Sequence, residues 1–140
     1  MKHPLHPMLV HFPIATLFLA TLADILSLFT NEQVGWVAGV LLVIGTITAL
    51  LAMVTGLLEL GKINPQSPAI KTANLHMILI MTSWSFYAGS LFMRLDGTRL
   101  EQPESIAIIL SVLGLIFLCY AGWLGGKLVY EFRVGTINSP

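Results

Sequence analysis

Four long stretches of apolar, almost uncharged residues, at about 7–29, 34–60, 73–95 and 104–126, constrain what this chain can fold into. Each is long enough to carry an α-helix across the hydrocarbon core of a bilayer, which takes about 20 residues. No water inside that core can bond the backbone amides, so runs of this length are helices rather than strands. Only 10% of the residues are charged and 56% are hydrophobic, whereas soluble domains carry about 25% charged residues. That leaves too little polar side chain to cover a surface facing water. The expected fold is all-α: a single integral membrane four-helix domain over residues 1–140, with lipid as its surroundings.

The connections at 30–33, 61–72 and 96–103 are short, which favours antiparallel neighbours and an up-down-up-down bundle. Glu104 and Ser105, just after Pro103, can begin the fourth helix. The first run reads as a retained helix, not a cleaved leader: it is too long, Asp24 interrupts it, and no small-x-small site follows. Lys2, Lys62, Lys71, Lys127 and Arg133 fall on one side of such a bundle, Arg94 and Arg99 on the other. By the positive-inside rule both termini are expected in the cytoplasm. The formal net charge is zero, so nothing points to a nucleic-acid partner. The single cysteine, Cys119, excludes an intrachain disulfide and reads as a small apolar packing residue.

Small residues mark where helices can approach closely: Gly45-x-x-x-Ala49 and Ala52-x-x-x-Gly56 in the second run, Gly122, Gly125 and Gly126 in the fourth. They suit tight bundle packing, a slot for a flat cofactor, or the seam of a homodimer, which is expected on these grounds.

At about 100° per residue, His76, Ile80, Ser83, Tyr87 and Arg94 fall near one line of the third helix, and Thr48, Ala52, Thr55 and Glu59 near one line of the second. Polar stripes in membrane helices face the bundle interior or a wet cavity. With alternating helices, His3, His6, His11, Glu59, His76 and the segment from Trp123 to Tyr130 gather at one end. Asp24, Arg94, Asp96 and Arg99 gather at the other, where they read as interfacial charges, with Asp24 and Arg94 a structural pair.

An imidazole in hydrocarbon is costly and needs a partner or a task. His11 and His76 each lie about one turn inside the same membrane face. Two histidines from different helices beside an apolar slot suit bis-imidazole ligation of a b-type haem. The cofactor-binding set is then His11, His76, Glu59, Gly122 and Trp123, with His11 and His76 on the metal and Glu59 or a backbone carbonyl orienting a ring. Pro13 removes an amide donor and leaves the Leu9 carbonyl free, a source of local distortion. His3 and His6 read as a solvated, proline-stiffened lead-in. The rival reading is a zinc or copper site, for metal binding or transport, built from His3, His6 and His11 with Glu59 or His76. A third is a structural membrane subunit with merely buried histidines. Partners in the first reading are membrane lipid and a quinone or redox protein.

The chain also resembles the domain-of-unknown-function 2231 family of bacterial predicted membrane proteins. The likeness runs through His3-Pro4-x-His6-Pro7-x-x-x-His11-Phe12-Pro13-Ile14-Ala15, Thr55-Gly56-x-x-Glu59, His76, Gly122-Trp123-x-Gly125-Gly126-x-Leu128-Val129-Tyr130 and Val134-Gly135. Glu59 stands where an aspartate is expected. The resemblance implies a four-helix protein of the bacterial inner membrane with a haem-binding, cytochrome-like role resting on His11 and His76. It implies no catalytic residue.

Overall fold

The computed structural model describes residues 5–135. Its elements are α1 (Leu5–Leu9), α2 (His11–Ser27), α3 (Glu32–Leu60), α4 (Ala69–Phe92), the short strands β1 (Leu95–Asp96) and β2 (Arg99–Leu100), and α5 (Ser105–Tyr130). Helices α1 and α2 form one span, His6–Ser27, and with α3, α4 and α5 make four helices long and apolar enough to cross a membrane.

The first span is interrupted at Val10. Pro13 has no amide to give the carbonyl of Leu9, so one rung of the ladder is lost there. The flanking rungs hold, Val10 N to His6 O at 3.1 Å and Ile14 N to Val10 O at 3.2 Å. Pro7 is tolerated in α1 because first-turn amides have no intrahelical partner. Asn31 caps α3 by accepting from the Val34 amide at 3.3 Å.

Helix α4 begins about a turn before the apolar run suggests and ends at Phe92 rather than 95, while α5 continues about a turn past the end of its run. Their extra turns are held by packing rather than hydropathy: Ala69 and Ala73 bury against Leu128, with Ile63, Phe132 and Val134 around them. The stretch read as a plain loop before α5 instead holds a hairpin pairing Leu95 with Leu100 and Asp96 with Arg99. Gly97, at φ 60°, supplies the left-handed residue its tight turn requires.

Close packing of α2 on α3 and of α4 on α5 makes two helical hairpins, and the looser contacts α3–α4 and α2–α5 close a square. The Gly45 and Gly56 seams are used up inside it: a Cβ on Gly45 would strike Leu17, and one on Gly114 would meet the Tyr87 ring at 2.9 Å. Across the diagonal, Tyr87 lies 3.0 Å from Thr21 Oγ1 and donates to Leu17 O at 3.3 Å. Ser83 donates to Gly114 O at 2.7 Å and Ser90 to Ala107 O at 2.7 Å. The predicted polar stripe of α4 therefore faces inward, where its hydroxyls bond helix carbonyls. Trp36, Leu51, Val54, Leu58 and Ile78 point outward, as lipid-facing residues do.

At the far end, Arg94 donates from both terminal nitrogens to Asp24, each bond 2.6 Å, with both side chains fully buried. The structural pair expected of these two is present, but it is buried inside the bundle rather than interfacial. Ser90 accepts a further bond from Arg94 at 3.1 Å. The pair joins the first span to the end of the third. Cys119 is exposed on the lipid face of α5 rather than packed inside.

Candidate functional site

At the end shared by α1, the close of α3, the start of α4 and the close of α5 lies an apolar cavity of about 460 Å³. His6, His11, Glu59 and His76 contribute to its wall, with Trp84, Met53 and Met77 among the apolar lining.

His76 projects from α4 toward α5, and its Nδ1 lies 2.8 Å from the carbonyl of Ala121. His6 projects from α1 toward α3, and its Nδ1 lies 2.9 Å from the carbonyl of Ala52 and 3.2 Å from Thr55 Oγ1. A carbonyl only accepts, so both Nδ1 atoms carry the proton. The Thr55 hydroxyl already donates to Ala52 O at 2.9 Å, so it too acts as an acceptor toward His6. In a neutral ring this leaves Nε2 as a bare lone pair, the form in which histidine binds metal. No described residue bonds either Nε2.

The two anchors are built alike. Ala52 and Gly56 on α3 correspond to Ala121 and Gly125 on α5, each alanine four residues before its glycine. The alanine's carbonyl takes the imidazole proton, and the glycine gives the ring room. A Cβ on Gly56 would sit 3.0 Å from His6 Cε1, and one on Gly125 would sit 3.2 Å from His76 Cε1. Each hairpin thus seats one imidazole, and the two seats lie on diagonal corners of the square.

His76 stands in the cavity as expected. His11 also lines it, but is exposed and has no hydrogen bond among the described residues. The anchored partner across from His76 is His6, which is not a solvated lead-in, because α1 carries it against α3. Helix carbonyls, not Glu59, orient the rings. Glu59 is half-buried in the wall and bonds neither imidazole. Gly122 lines the cavity with open space at its Cβ position. Trp123 does not line it. It is 60% exposed on the outer side of α5, stacked on Tyr120 at 5.7 Å, with Lys127 Nζ 5.9 Å above its ring. About one residue's rotation, roughly 100°, separates it from the inward-facing Leu124. His3 lies outside the described residues. Among the described residues, no three His, Cys, Asp or Glu side chains come together as a metal cage would require.

Sequence reasoning placed His6 only in the rival zinc or copper site and gave it no seat in the bundle, for which the repeated Ala-x-x-x-Gly in the second and fourth spans was the available signal. The histidine preceding each of these spans has a seat waiting on it.

Four membrane-length helices around a buried polar core define an α-helical integral membrane protein. The chain belongs to the family described as Predicted membrane protein (DUF2231), whose model matches residues 2–138. No curated protein and no solved structure matches the chain.

Proposed function

We propose that this protein binds a b-type haem between His6 and His76 in the bacterial cytoplasmic membrane and carries single electrons. One observation supports this above all: two imidazoles on diagonal helices share an apolar cavity, each with Nδ1–H fixed on a carbonyl and Nε2 unbonded. That is the outer-sphere arrangement that orients and strengthens histidine ligands. The donor set fits the group, because a porphyrin supplies the four equatorial nitrogens and only two protein ligands are needed. The glycine seats fit as well, since they let each imidazole approach the neighbouring helix closely.

Haem held there would supply a one-electron iron couple. The chain's own residues hold the rings against rotation, keep water away with Leu17, Ile80 and Leu118, and present the site near one membrane face. Held by His6 and His76 together, the iron would be left to exchange electrons with a small oxidant or a membrane-borne partner rather than to take up a further ligand. His6 takes the place expected for His11 in this reading.

The excess of lysine and arginine at the site's end of the bundle supports cytoplasmic termini. Arg94, on the other side, is neutralised inside the fold by Asp24, so less charge opposes this orientation. The Gly45 and Gly56 seams of α3 are taken up by Leu17 and His6 within the chain, so they offer no support for the homodimer expected on their account. A zinc or copper site draws on the same wall of His6, His11, His76 and Glu59, and elemental analysis separates it from haem.

The test is the absorption spectrum of protein purified after expression with ample haem, oxidised and dithionite-reduced. A Soret band is expected in the native protein and in His11→Ala, and is lost in His6→Ala and His76→Ala. Colourless native protein, or a band indifferent to both His6 and His76, would sink the proposal.

A further inference from the structure

The cavity is walled unequally. Its lining residues that are exposed on the outside are His11, Ile14, Gly122, Val129 and Tyr130, all on α2 or α5. Every lining residue on α3 and α4 is buried or half-buried. The seam between α2 and α5 is also the least closely packed side of the square. The exposed lining therefore follows that seam, and His11, Ile14 and Gly122 lie within the membrane-length helices, where a molecule dissolved in lipid can reach them.

The chemistry of the opening narrows the visitor. Ile14 and Val129 are apolar, Gly122 leaves open space beside α5, and Tyr130 lies at the helix end. Within the span, His11 is the one polar side chain at the opening, and no described residue uses its ring N–H. A visitor matching this surface is flat, greasy and equipped with a hydrogen-bond acceptor. We propose that the α2–α5 seam is a lateral portal for a membrane quinone, with His11 donating to a quinone carbonyl and Gly122 clearing the way for the ring. The purpose of the portal rests on the electron-transfer reading above; its geometry does not.

Trp84 lines the cavity behind the seam, so a quinone held in the seam should quench its fluorescence. The probe is decyl-ubiquinone, added to full-length protein in nanodiscs of quinone-free phospholipid, with Trp36→Phe and Trp123→Phe leaving Trp84 as sole emitter. Saturable quenching is expected. His11→Leu should weaken it by about tenfold, as losing one hydrogen bond of about 1.4 kcal/mol implies. Gly122→Leu should weaken it similarly by filling the passage. Neither change removes a contact within the fold, so both variants should remain folded.

If haem already quenches Trp84, binding is read from the saturation of haem reduction by decyl-ubiquinol, with the same variants. Non-saturating quenching or reduction, equal in all three proteins, would overturn the portal. So would disulfide linkage of two copies through Ile14→Cys in a Cys119→Ser background, which would put a second copy on the seam. A colourless protein that still binds quinone would sink the haem reading alone, and a red one indifferent to His11 and Gly122 the portal alone.

Discussion

Asp24 and Arg94, 70 residues apart, meet in a doubly hydrogen-bonded ion pair from which both water and lipid are excluded. It ties the end of the first span to the end of the third, diagonally across the bundle and at the opposite end from the histidines. Two charges in such surroundings are costly singly and tolerable only together.

Arg94→Leu should therefore destabilise the protein by about 3–5 kcal/mol, because it leaves the Asp24 carboxylate uncompensated. Asp24→Leu with Arg94→Leu should recover much of that loss. Thermal unfolding in a single detergent measures both, and equal loss in the single and double variants would contradict the account.

Gly114 lets Tyr87 lie against the α5 backbone, and a methyl group there would meet the ring at 2.9 Å. Gly114→Ala should cost about 1–3 kcal/mol by overpacking. Adding Tyr87→Leu should relieve the clash but forfeit the bonds to Thr21 and Leu17. Comparing unfolding of the two single variants and the double gives their coupling. Strict additivity would mean that the close approach is unimportant.

Enlarging either glycine seat should displace one imidazole only. Gly56→Val should disturb His6 and Gly125→Val should disturb His76; under the proposed haem ligation each lowers haem affinity by about 10–100-fold, as loss of an orienting neighbour does. Haem titration of the purified variants reads this out. Normal affinity in both would show that the seats do not position the rings.

Thr55→Val removes one of the two acceptors on His6 Nδ1 but leaves the Ala52 carbonyl. If His6 holds a haem as proposed, its imidazole becomes less basic and the midpoint potential should rise, with Thr55→Ser remaining near native. A spectroelectrochemical titration in which both variants match the native protein would remove Thr55 from the site.

The helices, their antiparallel order and the Asp24–Arg94 contact were readable because hydropathy and polar spacing are local signals that lipid enforces strongly. The inward stripe from Ser83 to Arg94 followed from helical periodicity alone. The anchoring of His6 on the Ala52 carbonyl, while His11 stays exposed, did not, because depth along a helix says nothing about which way a ring points. The proline-rich start looked like a stiff loop, yet Pro7 sits where a helix lacks partners for its amides anyway. The outward placement of Trp123 was illegible for a related reason: sharing an end of the bundle with His76 does not mean sharing a face.

The matching imidazole seats have a consequence for assembly. Each helical hairpin completes its own cradle yet supplies only half of what a bridging guest requires. Whatever spans the gap therefore belongs to neither half, and its capture acts as a rivet between them. Any such guest would stiffen the loosely joined edges of the square far more than the already tight pairs, so its loss would be felt first as a parting of the two hairpins.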